Sequence, residues 1–90
     1  MKEIRDLYVS LLKQYLSEEI KMTRKERSLT QEAMAEKLAI ERRTYCNIEK
    51  GENMCGTVSF ILFLAYECDD SIKFLKNVRE LLEELRKDIK

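Results

Sequence analysis

The stretch LTQEAMAEKLAIERRTYCNIEKG, Leu29 to Gly51, decides the fold. Thr30 is a good helix N-cap, and Leu29 before it can staple to Met34 one turn later. Met34, Ala35 and Leu38 then supply an inward stripe at helical spacing, which predicts a helix over Gln31 to Leu38. After Ala39 the same grammar repeats. Ile40 can staple to Tyr45, while Tyr45 and Ile48 continue the buried face until Gly51 stops the chain, so a second helix is expected over Arg42 to Lys50. The helical wheel then leaves Arg42, Arg43, Cys46 and Asn47 off the buried face, with Arg42, Arg43 and Asn47 sharing one exposed side.

Working outward, the 90 residues contain no histidine, no tryptophan, no proline and only two glycines. Good helix formers dominate and hairpin chemistry is missing, so the expected fold class is all-α, in a single domain over residues 1–90. No phosphate-cradling glycine loop, nucleophile elbow or His-Cys cluster occurs, so neither an enzyme nor a bound cofactor or metal is expected. Apolar runs fall short of a membrane span, and Met1 to Tyr15 is charged throughout, unlike a signal peptide. A cytoplasmic location is therefore expected. Cys46, Cys55 and Cys68 form neither an even set nor a Cys-x-x-Cys pair and read as reduced thiols; Cys68 falls in an apolar stripe, and Cys46 is the one position where a redox switch is conceivable.

Net charge is zero, which by itself argues against a nucleic-acid partner, but the charge is unevenly distributed. Ile20 to Lys50 holds eight basic residues against five acidic, a surplus of +3, while residues 1–19 carry −1 and residues 51–90 carry −2. A mildly basic middle is thus flanked by acidic ends, a pattern that a solvated helix face would also produce.

Quoted with two more residues, LTQEAMAEKLAIERRTYCNIEKGEN resembles the helix-turn-helix of the Cro and phage-repressor type, the xenobiotic-response-element family of bacterial regulators. Met34 stands for the family's first core leucine and Tyr45 for its core isoleucine. The likeness extends over Leu16 to Leu75: Leu16, Ile20 and Arg24 fall where the first helix packs. Thr57, Val58, Ile61, Leu62, Ala65, Cys68, Ser71, Ile72 and Leu75 fit the fourth and fifth helices. The resemblance implies a lambda-repressor-like five-helix DNA-binding domain over 16–75, with an extra N-terminal helix over 1–15 and a lengthened C-terminal helix over 76–90.

The resemblance also implies roles for particular residues. Gln31 would touch DNA phosphate and brace the recognition helix, Arg42, Arg43 and Asn47 would read base edges, and Thr44 would meet phosphate. Lys50, Glu52 and Asn53 would run along the backbone, and Arg24 with Glu49 would form a structural salt bridge. Arginine suits guanine and asparagine suits adenine in bidentate readout, which agrees with these types at these places. Two positions depart from the pattern. Ala39 replaces the usual turn glycine, so the corner needs a left-handed alanine at a cost of order 1 kcal/mol. Glu41 replaces the hydroxyl residue that caps the recognition helix, presenting phosphate with the wrong sign.

Beyond the matched region, Ile4, Tyr8, Leu11 and Tyr15 repeat at helical spacing, as do Leu75, Val78, Leu82, Leu85 and Ile89. Phe60, Phe63 and Tyr66 stand where the family is polar and read as additional apolar surface needing cover. The two terminal stripes pack on that surface within the chain, or build a homodimer, or both. The function expected from all this is a sequence-specific DNA-binding regulator, acting as a repressor on an inverted-repeat operator in double-stranded DNA. The alternatives are an antitoxin that represses its own operon and a helical adaptor that keeps the fold but binds protein.

Overall fold

The structure, a computed structural model, describes residues 2–89. Five α-helices follow one another: α1 (Lys2–Glu26), α2 (Gln31–Lys37), α3 (Arg42–Glu49), α4 (Thr57–Leu62) and α5 (Ser71–Ile89), with a π-helical turn over Phe63–Glu67 between the last two. The architecture is all-α, with no strand among the described residues. Residues 1 and 90 of the expected domain lie outside the described span.

Three of the helices end in the same way, on a residue with positive φ. Ser28 (φ 56) closes α1, Ala39 (φ 58) closes α2 and Gly51 (φ 77) closes α3. At each the following amide reaches back to a carbonyl five residues earlier: Leu29 N to Arg24 O at 3.0 Å, Ile40 N to Ala35 O at 3.0 Å and Glu52 N to Asn47 O at 3.0 Å. This is how a helix satisfies its last carbonyls while turning the chain sharply. The left-handed alanine expected at position 39 is therefore present, and it closes the corner between α2 and α3 in the ordinary way. At the other end of α2, Thr30 caps the helix by accepting from Ala33 N at 3.0 Å.

The core is one cluster. Tyr45, Phe63, Ile20, Met34 and Leu38 are its largest fully buried side chains, completed by Leu16, Ala35, Ile48, Cys55 and Phe74. Each of the large aliphatic and aromatic side chains removed from water contributes about 1.5–3 kcal/mol. Phe74 is the hub between the core and α5, with ring centroids 5.7 Å from Tyr15, 6.1 Å from Phe60 and 5.9 Å from Phe63. Polar clamps fix the corners: Ser59 Oγ donates to Leu38 O at 2.8 Å, and Arg27 bridges Glu67 at 2.8 Å and Asp69 at 2.7 Å.

Several expectations need correction. The N-terminal segment is not an extra helix, because α1 continues unbroken from Lys2 to Glu26, about 37 Å at 1.5 Å per residue. This helix accounts for most of the molecule's 42 Å long axis. Phe60 and Phe63 are not surplus surface: Phe63 is fully buried and Phe60 packs against the core. Instead Val58, Ile61, Ile72 and Leu75, matched by the resemblance to the fourth and fifth helices, are 69%, 57%, 70% and 50% exposed. Helix α4 is apolar on nearly every side, so periodicity could not orient it. The π-turn, closed by Cys68 N to Phe63 O at 2.8 Å, then adds a residue and rotates everything after it. Tyr66, 73% exposed, is the one aromatic of the three that does face outward.

The two terminal helices pack on each other. The Tyr15 ring lies tilted against Phe74, one cleft is lined by Tyr15, Thr23 and Glu26 of α1 with Lys73 and Asn77 of α5, and another by Leu11 and Glu18 of α1 with Leu81 of α5. Moving back along α1 thus moves forward along α5, which makes the two helices antiparallel neighbours, while Leu75 of the C-terminal stripe stays exposed.

Candidate nucleic-acid interface

Helix α3 is held from behind by a single carboxylate. Glu49, buried in its last turn, accepts from Arg24 Nε at 2.6 Å, Arg24 Nη2 at 3.2 Å and Gln31 Nε2 at 3.1 Å, and also from the Tyr45 hydroxyl. One side chain therefore joins α1, the start of α2 and two turns of α3. Burial alone would raise the Glu49 carboxyl, but the hydrogen bonds from Arg24, Tyr45 and Gln31 outweigh it and hold the group below its ordinary value. Burial, followed by the bond to Glu49, pushes the Tyr45 phenol well up, so it stays a donor. Arg24 adds a bond from Nη1 to Leu29 O at 2.9 Å, and Ser17 Oγ donates to the Glu49 carbonyl at 2.6 Å.

The opposite side of α3 is open. Arg42, Arg43, Thr44 and Lys50 are exposed and Asn47 is half-buried. Helical spacing puts Arg43, Asn47 and Lys50 in one line down the solvent face, with Arg42 to the α2 side and Thr44 to the other. Among the described residues neither arginine is paired with a carboxylate. Both occupy the amino end of α3, where the helix dipole disfavours cations by about 0.3–1 kcal/mol each, and the N-cap Glu41 makes no side-chain capping bond.

A cleft of about 520 Å³ lies beside the amino end of α3, lined by Arg24, Thr30, Gln31, Glu32 and Arg42. Gln31 sits in it with its amide already engaged: it donates to Glu49 and accepts from Cys46 Sγ at 3.4 Å. These bonds tie the start of α2 to α3, and one amide hydrogen of Gln31 is not used in them. Asn53 is exposed in the loop after α3, and the Asn47 carbonyl there receives both Glu52 N at 3.0 Å and Asn53 N at 3.3 Å. The structure thus brings Gln31, Arg42, Arg43, Thr44, Asn47, Lys50 and Asn53 around one helix, with Arg24 and Glu49 behind it.

Ser17 and the Tyr45 hydroxyl were missed from sequence. Tyr45 reads as a core apolar residue, and only its spacing four before Glu49 signalled a bond. Ser17 sits between Leu16 and Ile20 of the apolar stripe, and a small hydroxyl at a buried position was the available sign.

No protein-family model, no curated protein and no solved structure matches this chain. Function is therefore argued from geometry and charge. Among the described residues no group of metal-binding side chains occurs, and no helix is long and apolar enough to cross a membrane.

Proposed function

We propose that the chain is a sequence-specific regulator of transcription, acting as a repressor in the cytoplasm, that reads the major groove of double-stranded DNA with α3. The observation that carries this reading is the open face of α3, where Arg43, Asn47 and Lys50 align beside unpaired Arg42 while the opposite face is pinned through Glu49. Eight residues at 1.5 Å each make α3 about 12 Å long, the width of the major groove. In this reading Arg42, Arg43 and Asn47 meet base edges, and Gln31, Thr44, Lys50 and Asn53 meet phosphates.

The partner copy of a homodimer is placed on the exposed apolar side chains of α4, the π-turn and the start of α5, Val58, Ile61, Tyr66, Ile72 and Leu75, because α1 already packs on α5 within the chain. A two-fold dimer then reads an inverted repeat with half-sites about 34 Å apart. The same apolar face favours, as a second reading, an adaptor that binds another protein there, and an antitoxin would combine the two. Selection from a random DNA pool tests the proposal. An enriched motif is expected, and Arg43→Ala and Asn47→Ala should each relax preference at particular base pairs by about 1–3 kcal/mol. A pool that yields no motif, with binding that barely responds to salt, would sink the DNA reading and leave the adaptor.

A further inference from the structure

Resting on the DNA reading just given, we propose a second, sequence-independent contact: a groove between α1 and the carboxyl end of α3 that holds a phosphate run of the duplex backbone through Lys13, Lys21 and Lys50. The groove measures about 470 Å³, and Gly51 and Glu18 also line it. Its geometry follows from one bond. Ser17 Oγ donates to the Glu49 carbonyl at 2.6 Å, clamping that face of α1 onto the last turn of α3. Lys13 and Lys21 stand four residues before and after Ser17, so they lie one turn to either side of the clamp on the same face. Lys50 comes from the other wall, and it is also the last member of the line Arg43, Asn47, Lys50. The reading face of α3 therefore runs directly into the groove.

Charge points the same way. Three ammonium groups face Glu18, while the second carboxylate in the wall, Glu49, is already engaged by Arg24, Gln31 and Tyr45. The groove keeps a positive surplus that nothing within it uses. Helix α3 has this groove at its carboxyl end and the Gln31–Arg42 cleft at its amino end. With α3 lying in the major groove of the duplex, its line Arg43, Asn47, Lys50 ends at the mouth of the lysine-lined groove, which is thus positioned beside the duplex backbone next to the bases read. Lys13 lies in the part of α1 beyond the helix-turn-helix resemblance, which gives the long first helix a purpose besides packing on α5.

The test uses the full chain and a random-sequence 20-base-pair duplex, followed by anisotropy over a range of salt and by amide chemical shifts. The double variant K13Q/K21Q should make the slope of log affinity against log salt shallower by about 1 to 2, since each phosphate contact contributes about 0.9. Lys73→Gln, in the cleft on the opposite side of α1, should leave it unchanged. On binding, the Gly51 amide should move together with those of α3. Shifts in α3 with an unchanged slope would overturn the groove while leaving DNA reading intact. A lower melting temperature with an unchanged slope would also overturn it, because the lysines would then serve only the carboxyl end of α3. Movement in the groove without α3 would keep the groove and refute base reading, and movement in neither would refute both.

Discussion

Replacing Glu49 by alanine should show how firmly α3 is held. The substitution removes the acceptor of four hydrogen bonds, from Arg24 Nε and Nη2, Gln31 Nε2 and Tyr45. Breaking a fully buried ion pair costs about 3–5 kcal/mol, and a stranded buried hydroxyl about 1–3 kcal/mol. The first figure is reduced here, because the Arg24 side chain is 15% exposed and keeps its bond to Leu29 O. A net loss of about 3 kcal/mol is expected, which for a domain of this size lowers the melting temperature by roughly 12–24 °C. Adding Tyr45→Phe to Glu49→Ala should recover part of it by removing the orphaned hydroxyl. The effect should also depend on pH. The folded state favours the ionised carboxyl, so its contribution is complete above the unfolded value near 4.5 and is lost as pH falls through the lower folded one. As pH falls below about 4.5 the parent should therefore lose more stability than Glu49→Ala. Urea and thermal melts followed by circular dichroism measure both quantities; a variant within about 0.5 kcal/mol of the parent at neutral pH would refute the claim that this carboxylate anchors α3.

Two further outcomes concern the corner and the outer face. Ala39→Gly should stabilise the fold by up to about 1 kcal/mol in a urea melt, because Ala39 sits at φ 58, where a Cβ is strained, and any loss of stability there would contradict the strain argument. Ile61→Glu, at a residue 57% exposed, should leave the melt of a dilute sample nearly unchanged and abolish the dimer in sedimentation, whereas a dimer that survives it would place the second copy elsewhere.

The elements most legible in the sequence were those bounded by capping chemistry. Thr30 and Gly51 marked α2 and α3 to within one residue of where they lie, because caps are local interactions that the chain writes next to the helix they close. Glu49 and Arg24 are 25 residues apart, and it was a family resemblance, not periodicity, that suggested joining them. Orientation of α4 was not legible. Val58, Phe60, Ile61, Leu62 and Phe63 offer an apolar residue to nearly every direction, and the choice of Phe63 for the core rests on tertiary fit around Phe74. The π-turn is equally silent in sequence, since its extra residue is detected only by the bond from Cys68 N to Phe63 O. The groove at the end of α3 escaped for a related reason: Lys13, Lys21 and Lys50 converge only once Ser17 has docked α1.

Helix α1 links the surfaces that these proposals use. It touches α3 twice, through Ser17 to the Glu49 carbonyl and through Arg24 to the Glu49 carboxylate, and it touches α5 through the stack of Tyr15 on Phe74. Those contacts lie on different faces of the same helix, Ser17 toward α3 and Tyr15 toward α5, so α1 works as a rigid bar between them. An unbroken helix transmits position with little loss, because its own backbone bonds resist bending over this length. In a dimer built on the α4–α5 face, the distance between the two reading helices is then set by side chains packed on α1 rather than by a linker. Half-site spacing in such a protein follows from core packing, and a cavity at Phe74 would disturb recognition of a two-half-site operator while a single half-site remained bound as before.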